Sequence, residues 1–392
     1  MRVGHFLCFV LYVAVHYVTF QAAAYFISAL AGGTMFFRWL RLGMAGRRQV
    51  TVWRLYGWFS GLMMCGSSMG AVTWGAQAPR YAGSVRAAAA QDSVERASQR
   101  ALSNQWLTVV AVTWAIEFTC LSVAKLMVLD RMWDFATSTA EGMSMRWVAG
   151  GRAVLALVVA GNLAALGASF AAAFQFESAR AHFSEASASY AANNTADGDR
   201  LNSQAQSMVQ HGFFIGAVHY FGEVTVLLLI IAAFTVVGFA CALRISETLR
   251  AVLRVGAAYS RTHETSPVFA EAAAEGEKLR LQILGTTAFV FVTFLLRSAY
   301  SLFRSIALHL QDSARICPGV TSPCDATCYN VYSLIQTWMN RTLEFQVTVV
   351  LISSPFALLV ALRGMTNKVI SQREQYAAQL RSGPVQSGAG TG

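Results

Sequence analysis

Charge is what this chain lacks. Only 13% of its 392 residues are Asp, Glu, Lys or Arg, where a soluble domain carries about 25%. A surface that poor in charge does not suit water, so the largest face of the chain should meet lipid. The signatures of catalysis are missing too. No glycine loop cradles phosphate between a strand and a helix, no Ser, His and Asp group in a soluble domain, and no His-Glu metalloprotease motif occurs. The chain is therefore not expected to be an enzyme, and nothing in it asks for a cofactor. Lysine is absent from Leu279 to Asn367. That leaves the last apolar segment without a Schiff-base lysine and argues against retinal. There is no separate soluble domain and no internal repeat.

What the chain does have is apolar length: 55% of it is hydrophobic. A membrane-spanning helix needs ~20 mostly apolar residues. Seven segments answer that description, near Phe6–Phe37, Leu55–Ala76, Gln105–Leu129, Val154–Phe174, Phe213–Leu243, Leu284–His309 and Phe345–Leu362. Open strands would leave backbone groups unpaired in hydrocarbon, and the runs are too long and continuous for barrel strands. The expected fold is all-α: a polytopic seven-transmembrane-helix bundle over residues 1–380, then a Gly/Ser-rich disordered tail over 381–392. Arg2, the first apolar run and Gln21–Ala24 also fit a signal peptide. Cleavage there would leave Tyr25–Phe37, too short to span, so an uncleaved first helix is expected.

Loop charge gives the expected orientation. The segments Arg38–Arg54, Asp130–Arg152, Arg244–Gln282 and Arg363–Gly392 hold 18 Lys and Arg, against 9 on the other side. The richer side belongs in the cytoplasm, so the N-terminus is expected outside and the C-terminus inside. Acidic residues number nine on each side, so nearly all of the net +10 falls on the inner face. Scattered among membrane-proximal turns, those charges suit topology and anionic lipid headgroups rather than nucleic acid. The glycosylation sequons at Asn193 and Asn340 both fall outside. So do Cys317, Cys324 and Cys328, three of the seven cysteines. An oxidising compartment would permit one disulfide among them, with Cys8 a possible partner for the odd one. Cys65, Cys120 and Cys241 lie within spans and serve as small apolar residues. The compartment expected is the plasma membrane or a secretory-pathway endomembrane.

Ionisable groups at membrane depth carry the chemistry, because each costs at least ~2.5 kcal/mol there. Glu117 lies mid-way along the third segment, His219 and Glu223 share a face of the fifth, and Arg297 and Arg304 share a face of the sixth. Arg297 is expected to pair with Glu117 or Glu223, either as a clamp that fixes helix register or as part of a ligand or ion site. His219 and Glu223 at i, i+4 offer two metal ligands, but no third lies nearby, so no metal is expected. Lys125 is placed to snorkel to the cytoplasm.

Small residues mark expected helix contacts: Gly57, Gly61, Gly66 and Gly70 in the second segment, and Ala156, Ala160, Ala164, Ala168 and Ala172 in the fourth. Such faces usually pack within one chain; a homo-oligomer seam is the alternative. Pro355 follows two serines in the seventh segment and is a candidate hinge. The inner segment 244–283 should continue the fifth helix, break near Ser266-Pro267 and restart through Glu271–Leu281. Together with a helical stretch after Leu362 on the inner membrane surface, it is a candidate face for a cytoplasmic protein partner.

Seven helices with an external N-terminus resemble the G-protein-coupled receptor architecture and equally the TOM1/THH1-like seven-helix proteins of plants and protists. Asp130-Arg131-Met132 closes the third segment and resembles the receptor Asp-Arg-Tyr triplet. The resemblance implies a switch role for Asp130 and Arg131 in activation and coupling at the inner face. Pro355 stands somewhat like the seventh-helix receptor proline. The sixth segment has no proline and no cysteine opens the third, so a divergent seven-helix protein is the fitting description. Three functions follow as expectations: a receptor-like protein presenting basic inner loops to a partner, a transporter or channel using the buried Glu/Arg network, or a structural subunit of a membrane complex.

Overall fold

The computed structural model describes residues 2–43, 50–137, 145–260 and 267–310, with short pieces at 330–331 and 334–335. Six long helices account for the main body: α1 (Arg2–Gly43), α2 (Val50–Ala89), α3 (Ser93–Thr137), α4 (Met145–Ala191), α5 (Thr195–Ser260) and α6 (Pro267–Leu310). Among the described residues there is no strand. Helices adjacent in sequence lie side by side, and α3 also touches α5. The predicted seventh span, with Pro355 and the C-terminal segment, lies outside the described residues, as do Cys317, Cys324, Cys328 and Asn340. The side chains of Cys8 and Arg131 also lie outside them.

Five stretches are long and apolar enough to cross a membrane, within Val18–Arg41, Ser93–Asp130, Ala149–Ala191, Thr195–Leu243 and Thr287–Ala307. Their outward faces carry Phe26, Ile27, Leu163, Phe174, Phe239 and other large apolar side chains, which suits lipid and not water. The run Gln21–Ala24 sits in mid-helix, with Gln21 and Tyr25 buried in the bundle. The second predicted span does not reach the same apolarity, because glycine, serine and threonine dilute it. Those residues face inward: Ser60, Ser67 and Thr73 are buried, and Thr73 donates to or accepts from Thr113 on α3 at 2.7 Å. The glycines bring α2 close to its neighbours, as expected. A Cβ on Gly70 would run into the Tyr25 ring, one on Gly57 into Trp39, and one on Gly66 would meet Leu121 at 3.1 Å.

The alanine row on α4 is a correction. Ala156, Ala160 and Ala164 are exposed, and Ala168 is half-buried. The buried seam is instead Val158, Asn162, Ala165, Ser169, Ala172, Phe176, Ala179, Phe183 and Ala186. Its steps alternate four and three, the spacing that keeps a seam facing a left-handed partner. A row repeating every fourth residue advances about 400° per step at 3.6 residues per turn and drifts off that seam.

The segments 77–104 and 175–212 are helical nearly throughout. At 1.5 Å per residue the 66 residues of α5 extend about 100 Å, several times the ~30 Å hydrocarbon core. On α4 and α5 the exposed large apolar side chains end at Phe174 and Phe214. Beyond them the exposed positions are polar or alanine, such as Ser184, Glu185, Arg200 and Gln204. There α2 to α5 continue as a four-helix projection with a core of Ala97, Phe183, Ala186, Leu201 and Ala205. Arg100 donates to Asn202 at 3.0 Å, and Ser187 to the Val94 carbonyl at 3.0 Å. The turns are tight. Asp92 accepts from the Val94 amide and starts α3. Asn193 closes α4 with φ 59°, while the Asn194 amide bonds back to the Ser189 carbonyl at 2.9 Å. Asparagine tolerates that left-handed corner.

Candidate functional site

Glu223 stands at the centre of the bundle, fully buried, and three helices converge on it. Arg297 of α6 donates through Nε to its Oε1 at 2.8 Å, and Trp114 of α3 donates through Nε1 to its Oε2 at 3.3 Å. The Arg297 guanidinium also lies 5.0 Å from the centre of the Trp114 ring, within cation–π range. One turn away on α5, His219 Nδ1 meets the Ala165 carbonyl of α4 at 2.9 Å. A carbonyl only accepts, so Nδ1 carries a hydrogen. His219 Nε2 then faces Glu223 Oε2 at 3.9 Å.

Glu117 on α3 takes a hydrogen bond from the Tyr25 hydroxyl of α1 at 2.6 Å. Tyr25 reaches it because Gly70 leaves room for the ring. Arg297 acts on both carboxylates electrostatically. Of the two partners expected for Arg297, Glu223 is the one bonded. Lys125 corrects its expectation: it does not snorkel. It is 1% exposed, with its ammonium 4.2 Å from the centre of the Phe294 ring.

The core therefore contains two acidic and two basic side chains, Glu117 and Glu223 with Lys125 and Arg297, all at most 2% exposed. Balanced charges lower the cost of burial that any one alone would incur. Two atoms keep unused capacity, Glu117 Oε2 and Arg297 Nη1, which are buried without a hydrogen-bond partner.

Beside this cluster is a cavity of about 50 Å³ between α2, α3, α4, α5 and α6. Trp114 and His219 form its floor, Val110, Ala172 and Phe176 are among its apolar walls, and Arg80 and Arg304 supply its charge. Arg304 lies 5.8 Å from the centre of the Tyr220 ring. Of the residues singled out from the sequence, His219 and Arg304 line the cavity, whereas Glu117, Glu223 and Arg297 lie beneath it. Asp130 is exposed at the far end of α3, distant from this group. Among the described residues no three His, Cys, Asp or Glu side chains gather as metal ligands.

Tyr25, Trp114 and Arg80 were not legible as site residues. Trp114 stands three residues before Glu117, on the same helix face, and that spacing was the available signal. Tyr25 has no local signal, since Gly70 on another helix makes its place. Arg80 reads in sequence as one more loop charge until α2 is seen to extend past it. No protein-family model, no curated protein and no solved structure matches this chain.

Proposed function

We propose that the chain is a receptor-like, multi-pass integral membrane protein. It has seven spans, an external N-terminus and a cytoplasmic C-terminus, as in the receptor and TOM1/THH1-like architectures it resembles. An outer cavity takes a ligand, and the buried ion network passes its occupancy to the basic inner face. The observation that carries this reading is the floor of the cavity. Trp114 and His219 line it, and both also contact Glu223, the carboxylate that holds Arg297 and so α6. A ligand that moves either side chain changes the ion pair directly. At the inner end Asp130 is exposed, and α5 runs on to Ser260 while α6 starts at Pro267, as long helical arms.

Arg131 and the α5–α6 connection are then the partner-facing elements. The test compares proteins that co-purify in mild detergent from native membranes with wild type, with Arg131→Ala and with a deletion of 266–277. Loss of a specific associated protein in both variants is expected. Unchanged association in both would sink the reading.

A transporter or channel is the second reading, favoured by the series of buried ionisable groups from Lys125 through Glu117, Arg297 and Glu223 to His219. Flux in proteoliposomes that stops on Glu223→Gln would favour it. Absence of any flux for protons or common ions would reject it.

A further inference from the structure

Arg80 and Arg304 line one cavity and act on each other electrostatically, yet among the described residues no carboxylate pairs with either. Arg80 Nη1 donates to the neutral Gln77 at 2.9 Å and its guanidinium lies over Tyr81. Arg304 lies over Tyr220, and its Nε is buried without a hydrogen-bond partner. The nearest carboxylates are engaged elsewhere, Glu223 by Arg297 and Glu117 by the Tyr25 hydroxyl. Two like charges in a site of low dielectric repel and are costly without a counter-ion.

We infer that this cavity binds a small organic carboxylate with an apolar body, held by Arg80 and Arg304. The guanidinium fork matches the two oxygens of a carboxylate. The walls at Val110, Ala172, Phe176 and Phe213 are apolar and would receive the carbon chain. The size selects against bulky headgroups: a water needs roughly 10–15 Å³ of such space, so 50 Å³ takes the carboxylate and its first few carbons, with the rest of a longer chain outside. The cavity lies near the level of Phe174 and Phe214, where the exposed apolar surface ends. It is thus within reach of the outer water and of the bilayer. The same carboxylate chemistry comes from two sources, a free short acid in water or the carboxylate end of a bilayer fatty acid. This inference rests on the cavity of the proposed function and names its ligand class.

The test is isothermal titration calorimetry on the full chain in lipid nanodiscs. The probes are hexanoate, hexanol and hexylammonium in water, and stearate supplied in the nanodisc lipid. Hexanoate is expected to bind at least tenfold more tightly than hexanol, and hexylammonium not at all. Arg80→Gln and Arg304→Gln should each weaken the acid roughly tenfold or more, the effect of losing one charge-assisted hydrogen bond. Binding of stearate alone, with the same arginine dependence, supports the site with the bilayer as its source. No binding of either acid, or hexanol binding as tightly as hexanoate, overturns it. The comparison of acid, alcohol and amine uses wild type only, so it stands even if a variant fails to fold. Acid binding that leaves cytoplasmic association unchanged would sink the receptor-like reading and leave this site intact.

Discussion

Glu223 ties three helices with one carboxylate, and the energetic consequence is asymmetric. Removing one member of a buried ion pair strands the other in a low dielectric at a cost of roughly 3–5 kcal/mol, while removing both costs much less. Glu223→Gln and Arg297→Met should therefore each lower stability strongly, by thermal denaturation in detergent, and the double variant should recover a large part of the loss. Additive losses would mean that the 2.8 Å contact does not couple the two residues. At Asn193 the left-handed backbone explains the asparagine without a glycan. Asn193→Gly should leave stability unchanged or slightly raised, and Asn193→Ala should lower it by about 1 kcal/mol. A mobility shift after glycosidase treatment of wild type would show that the exposed side chain is modified as well.

At the scale of helices, the lesson lies in α4 and in the outer ends. The break at Ser266-Pro267 was legible because proline fits the first turn of a helix and not its interior, and α6 does start at Pro267. The α4 seam was not legible, because Asn162, Ser169 and four alanines give it little apolar contrast, while the exposed alanine row repeats more conspicuously. Geometry decides between the two rows. Ala165→Leu, against Gly222 of α5, should cost about 1–3 kcal/mol. Ala160→Leu on the exposed row should fall within about 0.5 kcal/mol of wild type. Equal losses would put both rows in contacts. The full extent of helix over 175–212 was not legible because its Ala, Ser and Asn content lacks an apolar period, and packing among four helices overrides weak propensity. In α2, Gly70→Ala should displace Tyr25 and free Glu117 of its 2.6 Å donor, with a loss of about 1–3 kcal/mol.

Over the whole molecule, the account joins a polar outer projection, a charge-balanced core and two long arms on the basic side. The sidedness proposed from charge is checked with a membrane-impermeant thiol reagent on intact cells. In a background lacking Cys317, Cys324 and Cys328, Asp199→Cys should label directly and Lys278→Cys only after permeabilisation. The reverse pattern would invert the bundle. The central claim is that the Glu223–Arg297 pair sets the arrangement of α5 and α6 at the inner face. Its most direct measurement is the distance between spin labels at the exposed positions 250 and 278, read by double electron–electron resonance in nanodiscs. Glu223→Gln should shift or broaden the distance distribution relative to wild type. An identical distribution in both proteins would show that the pair does not govern the arms, and would contradict the account.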